Sequence, residues 1–180
     1  YPELKLFESV LNFAPDLYSL SPGNRIKIYS TQEQIFREML RCIDNAKERI
    51  LLETYIFFAD HIGVRFVESL TKAVMRGCEV IIICDHFGSY SFFNSAFPLQ
   101  IQRGSGLSIL QFNPFWPWYF RRRSMLSRDH RKILIVDSEI SFCGSSNITG
   151  GMLSTFRETA IKIQGFAVAT FARPSIHPIM

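Results

Sequence analysis

The chain has 180 residues, 47% hydrophobic and 20% charged, which excludes a disordered polymer and gives length for one sizeable core. A formal net charge of +4 is mildly basic; it suits an anionic partner, acidic lipid or nucleic acid, without requiring one. No apolar run approaches the ~20 residues that span a bilayer, and because the chain opens at Tyr1 rather than Met an upstream anchor stays open.

Residues 1–23 mix apolar residues with Pro and Ser without a period and read as an irregular lead-in. Asn24 to Tyr29 alternates polar and apolar, as a half-buried strand does. Ser30 to Ala46 predicts a helix: Ser30 and Glu33 form a capping box, and Ile35, Phe36, Met39, Leu40 and Ile43 form one apolar stripe. Arg49 to Phe58 reads as a central strand. Glu53 is its odd member, since a carboxylate among apolar neighbours is costly unless paired. It either faces a loop or a partner Arg, or lines a site. His61 to Arg76 predicts a second amphipathic helix stopping at Gly77. Cys78 to Cys84 is a continuous apolar strand, so strand, helix and strand form a right-handed βαβ unit. Asp85-His86 then falls at a strand's C-terminal end, where open α/β sheets place their sites, which makes His86 a possible second imidazole. The four cysteines, Cys42, Cys78, Cys84 and Cys143, lack metal or redox spacing; three lie in or beside apolar runs and read as core residues of a reducing compartment.

After a loop with a short helix, Leu107 to Phe112 is a further strand. Asn113 to Phe120 then packs five aromatics and two prolines into eight residues ahead of Arg121, Arg122 and Arg123. Trp116, Trp118, Tyr119, Arg121 and Arg122 suit a membrane interface, with rings at headgroup level and Arg against phosphate. The same stretch also reads as a hydrophobic loop over the sheet, or as a stacking surface for single-stranded nucleic acid.

The most informative stretch runs from His130 through Lys132 and the apolar Ile133 to Val136 to Asp137, then through a second short strand, Glu139 to Cys143, to Gly144-Ser145-Ser146-Asn147. His130 and Lys132 are two apart and share a strand face, as do Ser145 and Asn147. A hairpin around Asp137-Ser138 would bring all four together at its open end. Such a set suits a phosphodiester: Lys and Asn bind non-bridging oxygens, and His attacks phosphorus or protonates a leaving oxygen. Gly150-Gly151 marks a turn before a last strand, Ala160 to Ile163; Glu158, just ahead of it, reads from the sequence alone as a surface charge.

This stretch resembles the HxKxxxxD signature and trailing GSxN of the phospholipase D superfamily. The cardiolipin synthase branch is further suggested by Leu52-Glu53-Thr54-Tyr55-Ile56-Phe57, Arg76-Gly77, Phe112-Asn113-Pro114, Arg128-Asp129-His130-Arg131-Lys132 and Gly165-Phe166-Ala167-Val168. The resemblance covers Asn24 to about Val168, with departures at Phe156, usually Trp, and Phe166, usually Pro.

The resemblance implies an α/β fold: a mixed, mostly parallel sheet with helices on both faces, one half of a pseudo-twofold pair. The catalytic domain would span residues 24–170, with 171–180 a truncated tail in which Pro174 and Pro178 break a helix early. It implies that His130 is nucleophile or general acid, that Lys132 and Asn147 bind phosphate with Ser145 assisting, and that Glu158 orients His130. Asp137 completes the catalytic signature, ending the strand, facing away from phosphate and holding the hairpin. The implied reaction makes cardiolipin from phosphatidylglycerol through a phosphatidyl-histidine, without metal or cofactor, at a membrane surface such as the cytoplasmic face of a bacterial inner membrane, or an organellar membrane in a eukaryote. Family enzymes use two motifs, so the partner would be a missing second half or a second copy. A homodimeric nuclease of the same superfamily and a non-catalytic membrane-binding fragment are the competing readings; nucleic acid is the less favoured partner.

Overall fold

A computed structural model of the chain describes residues 23–96, 98, 101, 106–114, 128–151 and 158–171. Seven strands form one sheet: β1 (Arg25–Tyr29), β2 (Arg49–Thr54), β3 (Glu79–Asp85), β4 (Ser108–Phe112), β5 (Ile133–Val136), β6 (Ile140–Gly144) and β7 (Ala160–Gln164), in the spatial order β1-β7-β6-β5-β2-β3-β4. The helices are α1 (Gln32–Asp44), α2 (His61–Met75), the short α3 (Tyr90–Phe93) and α4 (Ala167–Phe171).

The sheet is mixed, as expected, but mostly antiparallel rather than mostly parallel. Only β2–β3 and β3–β4 run parallel; the other four pairs are antiparallel. The cause is connection length. A parallel neighbour needs a crossover, and α2 supplies one between β2 and β3, whereas β5 returns to β6 through a tight turn that permits only antiparallel pairing.

Strand alternation builds two unequal layers. Ile50, Leu52, Leu134, Val136 and Phe142 point to the face covered by α1 and α2, where Phe36 meets Phe66 edge to face at 5.4 Å between ring centroids. Each fully buried Ile or Leu there contributes about 1.5–3 kcal/mol of apolar transfer. Leu51, Ile133, Ile135 and Ile163 point to the opposite face, where α4 contributes Ala167 and Val168. Helices therefore lie on both faces, as expected. On the second face Ile26 and Ile28 of β1 remain 62% and 68% exposed.

Most element ends shift by one or two residues from the sequence reading, and two differences have a side-chain cause. The N-cap of α1 is Thr31, not Ser30, and its side chain accepts from the Gln34 amide. Either hydroxyl could cap; with Thr31 in place Glu33 sits one position too early to close a box and pairs with Arg37 instead. β2 ends at Thr54, not Phe58, because Ile56 N and Phe57 N donate to the side chains of Asn147 and Ser89 rather than to a neighbouring strand. The lead-in and the tail beyond residue 171 lie outside the described residues.

Candidate active site

The β5–β6 hairpin fixes the site. Asp137 and Ser138 both take positive φ (53° and 54°), as the primed hairpin turns demand, and Glu139 N donates to Val136 O at 3.1 Å. The register pairs Ile133 with Cys143, so Lys132 and Gly144 follow at the open end. Lys132 is half-buried there and shares a small cavity with Thr54, Gly144 and Ser146. Burial lowers its ammonium pKa against the opposing charges of Glu158 and Asp129. Its Nζ donates to His130 O at 2.8 Å, leaving two of three N–H donors for a ligand. The His130 side chain is exposed, and its ring lies 4.8 Å from that of Tyr55, which also sits 5.5 Å from Lys132 Nζ.

The Gly-Ser-x-Asn segment crosses the same end. Gly144 has no room for a side chain: a Cβ would lie 2.5 Å from Thr159 O and 2.6 Å from Ala160 Cβ. That close approach lets Ser145 N donate to Thr159 O at 3.1 Å and Thr159 N to Ser145 Oγ at 3.1 Å. Asn147 is buried, and its Oδ1 accepts from Ile56 N at 3.2 Å. With the carbonyl end committed, the amide N–H₂ is the group left to donate to an anion.

Several expected roles change in the structure. Glu158 is buried beside Lys132, but its Oε2 accepts from Ser145 Oγ. Among the described residues neither ring nitrogen of His130 has a hydrogen-bond partner, so Glu158 holds the serine rather than the imidazole. The reason is position: Glu158 stands two residues before β7, whose register sets the adjoining Thr159 opposite Ser145. Glu53 borders the same small cavity as Lys132, but its carboxylate turns to Arg131 and not to His130. Paired with Ile133, it points to the opposite strand face and binds Arg131 at 2.7 Å, while Arg131 also chelates Asp129 at 2.9 and 3.1 Å. Burial, then the Asp129 carboxylate, push Glu53 up to about 8, so the pair retains a proton at neutral pH. Asp137 stands at the closed end of the hairpin, away from the site. Its carboxylate accepts the backbone N–H groups of Lys47, Glu48 and Arg49 at 2.9, 2.8 and 3.0 Å, a role of pure architecture. His86 sits against β4, its Nδ1 3.2 Å from Gln111 Oε1 and its ring stacked on Phe93. Trp116, Trp118, Tyr119, Arg121 and Arg122 lie outside the described residues.

Three supports were not legible beforehand. Asp85 is 1% exposed; its Oδ1 accepts Phe87 N and Gly88 N, and its Oδ2 accepts Asp129 N at 3.2 Å, tying the end of β3 to the residue before His130. Ser89 donates to Tyr55 O at 3.0 Å and accepts from Phe57 N at 2.9 Å, fixing the ring on which His130 rests. Tyr55 itself stood only as one letter of a family resemblance. A carboxylate closing an apolar strand flagged the position of Asp85, but its partner is 44 residues away.

One imidazole, one ammonium and one oriented amide thus stand at one end of the sheet, a set able to bind a phosphodiester and attack or protonate it. Among the described residues no three His, Cys, Asp or Glu side chains converge as a metal ion would require. No described helix is long and apolar enough to cross a membrane.

Residues 39–173 match the family model described as cardiolipin synthase, PLD-like domain. The cardiolipin synthase of Clostridium perfringens is 31% identical over 167 residues, covering 88% of this chain and 34% of the relative, so the chain spans about a third of that relative's length. Among solved structures, phosphatidylserine synthase of Haemophilus influenzae superposes with a TM-score of 0.69 at 15% identity, covering 93% of this chain and 39% of that one. The phospholipase D family member Nuc of Salmonella typhimurium superposes with a TM-score of 0.60 at 22% identity, covering 83% of this chain and 90% of Nuc. At those identities the superpositions speak for the fold alone.

Proposed function

The chain belongs to the cardiolipin synthase family of phospholipase D-like domains, and from that premise we propose that it is one catalytic half of a phosphatidyltransferase acting on phosphatidylglycerol. The observation that carries this reading is the placement of the three residues about Tyr55-Ile56: His130 and Lys132 against the Tyr55 ring, and Asn147 on Ile56 N.

In this reading a ring nitrogen of His130 attacks the phosphodiester phosphorus. A P–N bond forms, the P–O bond to the headgroup glycerol breaks, and the departing oxygen takes a proton from a general acid. Lys132 and Asn147 hold the non-bridging oxygens, whose charge grows in the transition state. A hydroxyl of a second phosphatidylglycerol then attacks, its proton passing to the same group now acting as base, the P–N bond breaks, and cardiolipin leaves with His130 and the general acid regenerated. Ser145 and Glu158 act as a unit: the hydrogen bond between them ties β6 to the start of β7 and keeps a negative charge near Lys132. The general acid comes from a second motif, in a second copy of this chain or elsewhere in a longer protein. The exposed Ile26 and Ile28, and Phe166 at 79% exposure, are consistent with a partner on the second sheet face. The segment from Trp116 to Arg122 meets the membrane surface that presents the lipid.

A phosphodiester carried by nucleic acid is the second reading, because the site's donors recognise the phosphate and not what is esterified to it. Incubation with phosphatidylglycerol vesicles and, in parallel, with single-stranded DNA separates the two. Release of glycerol with formation of cardiolipin is the expected result. Cleavage of DNA with no lipid turnover would overturn the lipid reading.

A further inference from the structure

Asn147 has to present its amide at a fixed place, yet the segment that follows it, Ile148 to Gly151, belongs to no strand of the sheet. Its anchors come from two helix N-termini. Gln32, the first residue of α1, is 4% exposed and turns its Nε2 toward Asn147 O and Thr149 O, both at 3.4 Å. Asp60, the N-cap of α2, splits its carboxylate. Oδ1 accepts Ile62 N and Gly63 N at 3.0 and 3.1 Å, the ordinary capping bonds. Oδ2 accepts Thr149 Oγ1 at 2.9 Å and Gly150 N at 2.7 Å, across 89 and 90 residues of sequence. A cap needs only one acceptor oxygen, so the second serves something else. The seat is tight: a Cβ on Gly150 would lie 2.1 Å from His61 Cε1. The Phe57–Ile148 bridge and the Ile56 N bond to Asn147 Oδ1 complete a frame in which Asn147 is held from both sides.

We infer that Asp60 is a positioning residue for Asn147: its Oδ2 fastens Thr149 and Gly150 to the start of α2 and so sets where the Asn147 amide stands in the site. The catalytic consequence rests on the phosphodiester reading above; the tether itself does not. Charge-assisted bonds of this length from a carboxylate to a backbone N–H are among the stronger ones. Misplacement of a phosphate-binding donor by about an ångström is enough to cost turnover on the order of a hundredfold.

Three variants of the full chain test this: Thr149→Val, which keeps the shape and loses the hydroxyl; Thr149→Ser, which keeps the hydroxyl; and Asp60→Asn, which offers one acceptor oxygen where the carboxylate offers two. Asn caps a helix about as well as Asp. The readouts are amide exchange at Gly150, the side-chain amide resonances of Asn147, and turnover of phosphatidylglycerol vesicles. In Asp60→Asn and Thr149→Val, Gly150 exchange should rise about tenfold and the Asn147 side-chain resonances should move. In both, kcat should fall on the order of tenfold with little change in KM, while amides in the body of α2 exchange as before. Thr149→Ser should restore all three. Unchanged Gly150 exchange and unmoved Asn147 resonances would overturn the inference, as would a loss of turnover that only follows the folded fraction. If the unaltered chain turns over no lipid, the second copy is ruled out as the source of the general acid, while the exchange and resonance readouts still decide the tether.

Discussion

The imidazole of His130 rests against the ring of Tyr55, their centroids 4.8 Å apart, and Ser89 holds Tyr55 in turn through its carbonyl. With no described hydrogen bond to either imidazole nitrogen, the ring contact is what restricts His130. Tyr55→Ala should therefore lower kcat on the order of ten- to a hundredfold, whereas Tyr55→Phe, which keeps the ring, should stay near the unaltered rate. Steady-state turnover of phosphatidylglycerol by the two variants checks this. Equal losses in both would assign the role to the phenol hydroxyl instead.

Asp137 carries a different prediction because it acts on stability and not on the site. Asp137→Asn keeps a residue tolerant of positive φ but loses the charge that three backbone N–H groups point to. We expect a loss of about 1–2 kcal/mol, or a Tm lower by roughly 2–8 °C for a chain of this size, with turnover per folded molecule unchanged. Burial raises the Asp137 pKa, but the bonds from Arg49, Glu48 and Lys47 outweigh it and the net shift is downward. Its contribution is thus full above the unfolded value of about 3.9 and disappears as pH falls through the lower folded value. Thermal melts of both proteins from neutral pH down to about pH 3 should converge at the acid end.

Glu53 has the opposite sign. Its folded pKa is raised, by burial first and Asp129 second, to about 8. The stability it contributes is complete below its unfolded value of about 4.3 and is lost as pH rises through the folded value. Glu53→Gln, which stays neutral while keeping the shape, should flatten the decline in unfolding free energy between about pH 5.5 and about pH 8.5. Urea titrations at the two pH values measure it. An unaltered slope would place the shared proton elsewhere.

How much of this was legible in the sequence follows from the range of each interaction. The helices α1 and α2 and the β5–β6 hairpin announce themselves through local periodicity and turn chemistry, and Lys132 and Gly144 do lie at its open end. Sheet polarity was misjudged because the apolar runs of β2 and β3 look alike whether their neighbours are parallel or antiparallel. The partner of Glu158 was misplaced for a related reason, while for Glu53 the sequence left a partner Arg and a site-lining place both open, and its carboxylate binds Arg131. Strand register decides which side chain a carboxylate meets, and a one-residue difference turns it to the other face. Asp60 and Asp85 show the limit: each is readable as a cap or strand end, but their second partners, Gly150 and Asp129, are set by the tertiary fold alone.

Gly144 tests the close approach of β6 and β7. A Cβ there meets Thr159 O and Ala160 at 2.5–2.7 Å, contacts with backbone that cannot swing aside. Gly144→Ala should cost about 1–3 kcal/mol by overpacking. It should also separate Ser145 from Glu158, so that turnover per folded molecule drops with stability. Denaturant melts and assays on the same preparations decide between this and a loss of stability alone.

The central claim is that His130 is the group that bonds to phosphorus. Mass spectrometry after mixing the chain with phosphatidylglycerol vesicles and quenching in cold denaturant at mildly alkaline pH, where a P–N bond survives, tests it most directly. The account predicts a phosphatidyl adduct on the peptide containing His130, absent in His130→Ala and reduced in Lys132→Ala. An adduct on another residue, or lipid turnover that persists in His130→Ala, would contradict it.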